Sequence, residues 1–279
     1  MRWPRLVRQR FLGVVRAMPW QRPPLPACTP EPAAFSPALC LAAFLLQWAL
    51  VTLGNSGKLG LTNVEMSDKY PSYVTPAKWA FAIWGVIYLW EIIAMIYLFV
   101  DPNHAPLASV QTYWLVLNAA QGAWALFFTR ELLALSSVAL TTIAVAAVAL
   151  CAGLDASDGW RYWLGAAPFW LHSGWVTAAS LVGWNMLLMS LKPSSTPVLL
   201  ACGGASAYFA LSVGLATLIQ FSTLALPMAL SLAWALASIS KNTKTEICRE
   251  NSIGLQALQL TAGGCSVLLV AACIATFAS

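Results

Sequence analysis

Three stretches of the chain carry aromatic and polar side chains at spacings that place them on one face of a helix. In the first stretch, Phe81, Trp84, Tyr88 and Glu91 follow one another at intervals of three, four and three residues. Rings that share a helix face with one polar group are typical of a pocket for an apolar ligand, which needs only a few orienting hydrogen bonds. The spacing therefore indicates a ligand-binding face.

The other two stretches repeat this composition. Asn118, Gln121 and Phe128 share one face, and His172 precedes Trp175 by three residues on another. A single aromatic stripe is also typical of ordinary packing, but three stripes with polar groups favour a pocket. The predicted ligand-binding residues are Phe81, Trp84, Tyr88, Glu91, Asn118, Gln121, Trp124, Phe128, His172 and Trp175.

Composition shows which elements must position these residues. Of 279 residues, 59% are hydrophobic and only 9% are charged, against roughly 25% charged in soluble domains. The charged residues lie between apolar runs that approach the ~20 residues needed to cross a bilayer as a helix. We therefore predict an all-α polytopic membrane bundle, because the runs are too uniformly apolar for a membrane β-barrel.

The apolar runs predict eight transmembrane helices. Their predicted spans are Ser36 to Leu53, Ala77 to Val100, Thr112 to Phe128, Leu132 to Leu154, Trp163 to Leu191, Pro197 to Leu218, Leu224 to Ser240 and Ile253 to Phe277. A polar loop from Gly54 to Pro76 joins the first two spans. Eleven of the fourteen tryptophans lie between residues 36 and 191, so the chain divides by composition into a Trp-rich part and a three-helix C-terminal part, 192–279.

Lys and Arg predict the orientation in the membrane. Eight of the nine basic residues that follow the first span fall on one side, and only Arg161 falls on the other. Both mature termini are therefore expected on the positive-poor side, opposite the Gly54 to Pro76 loop. Residues 1–35 carry six arginines, and these would lie on the side of the membrane where the loops have few basic residues. The segment is either an organellar transit peptide, for a chloroplast or a mitochondrion, or a basic N-terminal arm.

Counting along the helices predicts a polar layer. Glu91, Gln121 and His172 each lie nine residues from the same membrane face, about 14 Å at the rise of an α-helix, and Gln47 lies about 3 Å deeper. Glu91 and His172 are the natural pair, either as carboxylate and imidazolium or as a neutral acid donating to an imidazole. We expect Glu91→Gln to alter ligand binding or its pH dependence.

Both members of this pair also have other interpretations. A buried acid in a bilayer is costly and functional by default, although Glu91 could simply be protonated and tolerated by lipid. His172 could bond a neighbouring helix, contact a ligand, or act as an axial ligand to a metallated porphyrin.

Catalytic and metal-binding constellations are not predicted. The chain has two histidines, His104 and His172, and seven scattered cysteines without a CxxC spacing. These residues support neither a Ser-His-Asp arrangement nor a multi-His metal site. The net charge of +5 is explained by membrane orientation, so no nucleic-acid partner is expected. We predict a non-enzymatic protein that requires no cofactor.

Three motifs resemble the translocator protein and tryptophan-rich sensory protein family (TspO/MBR). Residues 75–88, TPAKWAFAIWGVIY, are similar to its second-helix signature. Residues 118–128, with Trp124 and the pair Phe127-Phe128, are similar to its third-helix pattern. Residues 168–179, PFWLHSGWVTAA, are similar to the fifth helix of the longer bacterial branch.

The resemblance implies a five-helix bundle over Ser36 to Leu191 whose long first loop covers a pocket for porphyrins, haem or other flat lipophilic ligands. Gln121 stands where the short members usually have Asn, and the Phe pair is displaced by one position. The sterol-recognition stretch of the animal members needs a Tyr, and residues 179–192 contain none, so cholesterol binding is not expected. We predict that Trp84, Tyr88, Trp124 and Trp175 line one cavity beneath the loop.

Two main functions follow from these patterns. The first is binding or sensing of tetrapyrroles or similar lipophilic ligands, and the second is proton-coupled secondary transport that uses Glu91. Inverted repeats and broken helices would favour transport, and their absence by inspection of the sequence favours binding. A structural or assembly subunit is a third alternative, and a homodimer is left open.

Overall fold

A computed structural model describes residues 35–101, 106–154, 159–191, 196–242 and 253–278. The N-terminal arm, His104, Cys28, Cys248 and the predicted boundary at residues 191–192 fall wholly or partly outside these ranges. The described cysteines are free thiols.

Each predicted span corresponds to a helix. The described residues form α1 (Pro37–Asn55), α2 (Asn63–Lys69), α3 (Ile83–Val100), α4 (Gln111–Thr129), α5 (Leu133–Gly153), α6 (Trp160–Gly165), α7 (Ala167–Ser190), α8 (Thr196–Phe221), α9 (Leu226–Ser240) and α10 (Ile253–Phe277). All except α2 belong wholly or partly to predicted spans, and the fifth span contains the end of α6 as well as α7. The chain is an all-α polytopic membrane protein.

Five segments are long and apolar enough to cross a membrane by length and composition alone. They are Pro37–Asn55, Lys78–Val100, Leu133–Gly153, Thr196–Ser240 and Ile253–Phe277. The fourth contains two helices, α8 and α9, joined by a 3-10 turn at Ser222–Ala225. Helices α4 and α7 are not among the five, because they carry more polar residues. Other helices surround α7, and most of its side chains are buried.

Local sequence explains how several helices begin. Pro37, Pro168 and Pro227 lie in the first turns of α1, α7 and α9, where the missing proline N–H costs no hydrogen bond. The loop helix α2 starts with a capping box: Thr62 and Glu65 each accept a hydrogen bond from the other's backbone N–H.

The fifth predicted span is interrupted. The sequence predicts one helix from Trp163 to Leu191, whereas the structure ends α6 at Gly165 and starts α7 at Ala167. Pro168 explains the break, because its nitrogen cannot donate to the carbonyl of Leu164 and its ring would clash with that carbonyl. The second span likewise opens with a 3-10 turn, Lys78–Ala82, before α3 begins.

The helices pack as a ring of five with three further helices on one side. Around the ring, α1 contacts α4, α4 contacts α5, α5 contacts α7, α7 contacts α3, and α3 contacts α1. Helices α8 and α9 pack against α7, and α10 packs against both of them. Helix α7 therefore belongs to the ring and also carries the C-terminal helices.

Hydrogen bonds between helix ends fix the direction of the chain. The backbone N–H of Ser36 donates to Gln111 Oε1 at 2.7 Å, so α1 and α4 start at the same end of the bundle. At the opposite end, which we call the loop end, the N–H of Leu61 donates to the Thr129 carbonyl. The loop thus lies opposite the start of α1, as predicted. Its side of the membrane stays a prediction.

Candidate functional site

A cavity of about 60 Å³ lies inside the ring at the loop end. Its walls come from the loop, from α4, α5 and α7, and from the chain around the start of α3. The lining residues are Asn63, Ser67, Pro76, Phe81, Trp84, Trp124, Phe128, Leu140, Trp175, Ala178, Ala179, Val182, Gly183 and Met186. Most of the wall is apolar, and the loop supplies the two polar residues Asn63 and Ser67.

The rings in the wall contact one another. Trp175 meets Phe81 edge-on at 5.9 Å and Trp84 edge-on at 6.2 Å between ring centroids. Trp124 stacks with Phe128 at 5.4 Å. Edge-to-face and offset pairs of this kind are the favoured aromatic geometries. The three tryptophans expected to line a cavity therefore do so together, on three helices.

Tyr88 lies beside the lining instead of in it. It stacks on Trp84 at 5.3 Å, and its hydroxyl accepts a hydrogen bond of 2.7 Å from Gln121 Nε2. Tyr88 lies one helical turn further from the loop end than Trp84, and this hydrogen bond joins it to α4. It joins the aromatic wall to the polar residues beneath it.

The predicted pair of Glu91 and His172 is present. Glu91 Oε1 lies 2.6 Å from His172 Nδ1, and the two side chains are 0% and 1% exposed. Trp84 also forms a T-shaped contact with His172, with 5.6 Å between ring centroids. One aromatic residue thus contacts both the cavity and the buried pair.

The predicted polar layer is only partly hydrogen-bonded. Asn118 Nδ2 donates to the Trp114 carbonyl within its own helix, and Gln121 reaches Tyr88. Gln47 is buried beside Gly122 on α4. Within this layer, five buried atoms have no hydrogen-bond partner in the described structure: Gln47 Oε1, Glu91 Oε2, Asn118 Oδ1, Gln121 Oε1 and His172 Nε2. Buried polar atoms left over in this way often mark a functional site.

The loop covers the cavity and is fastened to the α4–α5 turn. Tyr70 donates to Glu131 Oε2 at 2.6 Å, and Lys69 forms an ion pair with the same oxygen. Glu131 has a φ of +62°, a left-handed conformation that costs a non-glycine residue roughly 1 kcal/mol or more. We call the contact of Lys69 and Tyr70 with Glu131 the latch.

Gly60 allows the loop to approach this turn. Its φ is +148°, and a Cβ at this position would stand 2.1 Å from the Thr129 carbonyl oxygen. No other residue fits, because both the conformation and the space require the missing side chain.

The latch is expected to weaken in acid. The hydrogen bonds from Lys69 and Tyr70 hold the pKa of the Glu131 carboxyl below its usual range. A lowered pKa means that the carboxylate stabilises the closed loop at pH values above the ordinary glutamate pKa. This stabilisation is lost as the pH falls through the lowered pKa.

We expect Glu131→Gln to open the loop at neutral pH, and the opening should appear as faster amide exchange in residues 61–70. Lys58→Gln, at an exposed position of the same loop, is the control. Unchanged exchange in Glu131→Gln would contradict the latch.

Sequence reasoning did not single out several of these residues. Glu131 carries no local sequence signal, because its partners lie some 60 positions earlier. The small wall residues Ala178 and Gly183 carry no signal of their own, because small residues are common wherever membrane helices pack closely. The T-x-x-E pattern at Thr62 was a readable signal for the loop helix.

The fold and the site define the class of this protein: it is a polytopic all-α membrane protein with an aromatic cavity beneath a loop. A family model described as TSPO-like protein matches residues 37–275. The chain belongs to this TSPO-like family. The match includes α8 to α10, whereas the three motifs that resemble the family all precede residue 192. Comparisons with curated proteins and with solved structures gave no match.

Proposed function

We propose that this membrane protein binds tetrapyrroles, such as porphyrin or haem, or similarly flat lipophilic molecules, in the Trp-lined cavity beneath the loop. The observation that carries the proposal is the convergence of Trp84, Trp124 and Trp175 on one mostly apolar cavity. Stacking on indole rings recognises flat conjugated ligands with little regard to their substituents. The family match supports the same function.

The cavity must expand to accept such a ligand. Its volume of about 60 Å³ holds a few water molecules, whereas ligand pockets usually measure ~300–1,000 Å³. The loop carries part of the wall, and exposed contacts hold it at Glu131, so loop opening is the natural way to enlarge the cavity. Binding is therefore coupled to loop movement.

Protoporphyrin IX provides the direct test. We expect the purified protein to bind it with quenching of Trp fluorescence, and Trp175→Ala to weaken binding by about 1 kcal/mol, the scale of one aromatic pair. Trp160→Ala, which removes an exposed tryptophan outside the cavity, is the matched control. Equal affinity in the two variants would place the ligand elsewhere. Haem, titrated in parallel, tests whether His172 ligates iron.

The buried pair favours a second function, proton-coupled transport of a small lipophilic or organic molecule. Glu91 and His172 lie next to Trp84, which lines the cavity. A carboxyl group buried at this depth in a bilayer usually has a functional role. Vesicles that contain the protein and a pH-sensitive dye would show the difference. Transport predicts proton movement when protoporphyrin IX is added on one side, and simple binding predicts none. Organellar location and homodimer formation remain predictions.

A further inference from the structure

The end of the loop that leads into α3 is bound to the C-terminal helices. We call residues 72–82 the lead-in segment. Within it, the Thr75 carbonyl accepts from Asn242 Nδ2 at 2.8 Å, and the N–H of Ala77 donates to the Ser238 carbonyl at 3.3 Å. The Ala80 carbonyl accepts from Trp234 Nε1 at 3.1 Å. Three backbone groups of the segment thus form hydrogen bonds with α9 or with Asn242, which lies just after α9.

Side-chain packing adds to these hydrogen bonds. Trp79 meets Trp234 edge-on, with 4.7 Å between ring centroids. Val74 is buried, and a Cβ on Gly203 of α8 would stand 3.1 Å from it, so the glycine makes room for this valine. The lead-in segment is therefore packed into the C-terminal helices as well as bonded to them.

Helix α10 supports the residue that anchors the segment. Gln259 Nε2 donates to the Asn242 backbone carbonyl at 2.9 Å. Asn242 is buried; α10 holds its backbone carbonyl, and its side-chain amide donates to the Thr75 carbonyl. Helices α8, α9 and α10 all take part in holding this short stretch of chain.

The same stretch forms part of the cavity wall. Pro76 and Phe81 line the cavity directly, and Trp84 follows within the first turn of α3. Phe81 also contacts Trp175 across the cavity. A displacement of the lead-in segment would move the rings that the proposed ligand must contact.

We propose that the three C-terminal helices position the lead-in segment, with Asn242 and Trp234 as positioning residues for the ligand cavity. One end of the loop is then fixed by three hydrogen bonds to the C-terminal helices. The other end is held at the α4–α5 turn by the exposed latch and by the bond from the Leu61 N–H to the Thr129 carbonyl. The loop opens from the α2 side, and the wall formed by Phe81 and Trp84 stays in place. This inference rests on the proposed function of the cavity.

Two variants of the full chain test the proposal. Asn242→Ala removes the bond to Thr75, and Trp234→Phe keeps a ring against Trp79 but loses the donor to Ala80. The control is Ser266→Ala, which removes the buried bond from Ser266 Oγ to the Ala233 carbonyl within the same helices. Amide exchange of residues 72–82 and affinity for protoporphyrin IX are measured on each protein.

We expect faster exchange in residues 72–82 and a three- to tenfold weaker affinity in the first two variants, the effect of one lost buried hydrogen bond, with neither change in Ser266→Ala. Unchanged exchange in both variants would overturn the proposal, and so would faster exchange with unchanged affinity. A wild-type protein that binds no protoporphyrin IX would refute the proposed function instead. Exchange in residues 72–82 then decides alone whether these helices hold the segment.

Discussion

Replacing His172 by leucine is expected to cost about 3–5 kcal/mol of stability, because it leaves the fully buried Glu91 carboxyl without its partner. Glu91→Gln should cost less, since the amide can still form a hydrogen bond with the imidazole. The double replacement Glu91→Leu with His172→Leu should recover most of the loss, because apolar side chains need no partner in this place. Thermal unfolding of the purified protein in detergent measures all three.

The double variant gives this prediction its control. If His172→Leu and the double variant lose stability equally, the cost comes from packing around His172 and not from an unpaired carboxyl. If His172→Leu is as stable as the wild type, the pair does not contribute to stability.

Gly174→Ala is expected to give the second large effect, a loss of about 1–3 kcal/mol from overpacking. The new Cβ would stand 2.4 Å from the Met228 carbonyl oxygen and 2.9 Å from the Ser231 Cβ, so α7 and α9 would have to separate. The same thermal unfolding assay applies.

Gly204→Ala and Gly264→Ala are matched controls, since a Cβ at either of these helical positions meets nothing within 4 Å. They should be neutral or slightly stabilising, because alanine has the higher helix propensity. Equal losses in all three variants would mean that the loss does not come from the contact between α7 and α9, and no loss in Gly174→Ala would mean that this contact is not tight.

The residues differ in how far the sequence could predict their positions. The Glu91–His172 pair was predictable because helical rise is constant, so residues counted from one membrane face lie at known depths. The same regularity placed Trp84, Trp124 and Trp175 on inward faces. Tyr88 shares that periodicity, yet its hydroxyl bonds to Gln121. Helical spacing predicts the face on which a side chain lies but not the neighbour to which it forms a hydrogen bond.

Contacts between distant segments were not predictable in this way. The latch joins Tyr70 to Glu131, and the lead-in segment joins Thr75 to Asn242 across 167 positions. Helical periodicity gives no information about such pairs. The break at Ala166 was missed although Pro168 was visible, because a proline near the start of a predicted span is also compatible with a helix that begins there.

The asymmetric fastening of the loop has a kinetic consequence. Under the proposed function, the cavity is too small at rest for the ligand, and the ligand enters when the latch end of the loop releases. Its rate of entry is then set by how often the loop opens, and this rate stops rising once ligand is abundant. In this proposal the same closure slows escape, so the residence time of the ligand depends on Glu131 as well as on the rings that touch the ligand.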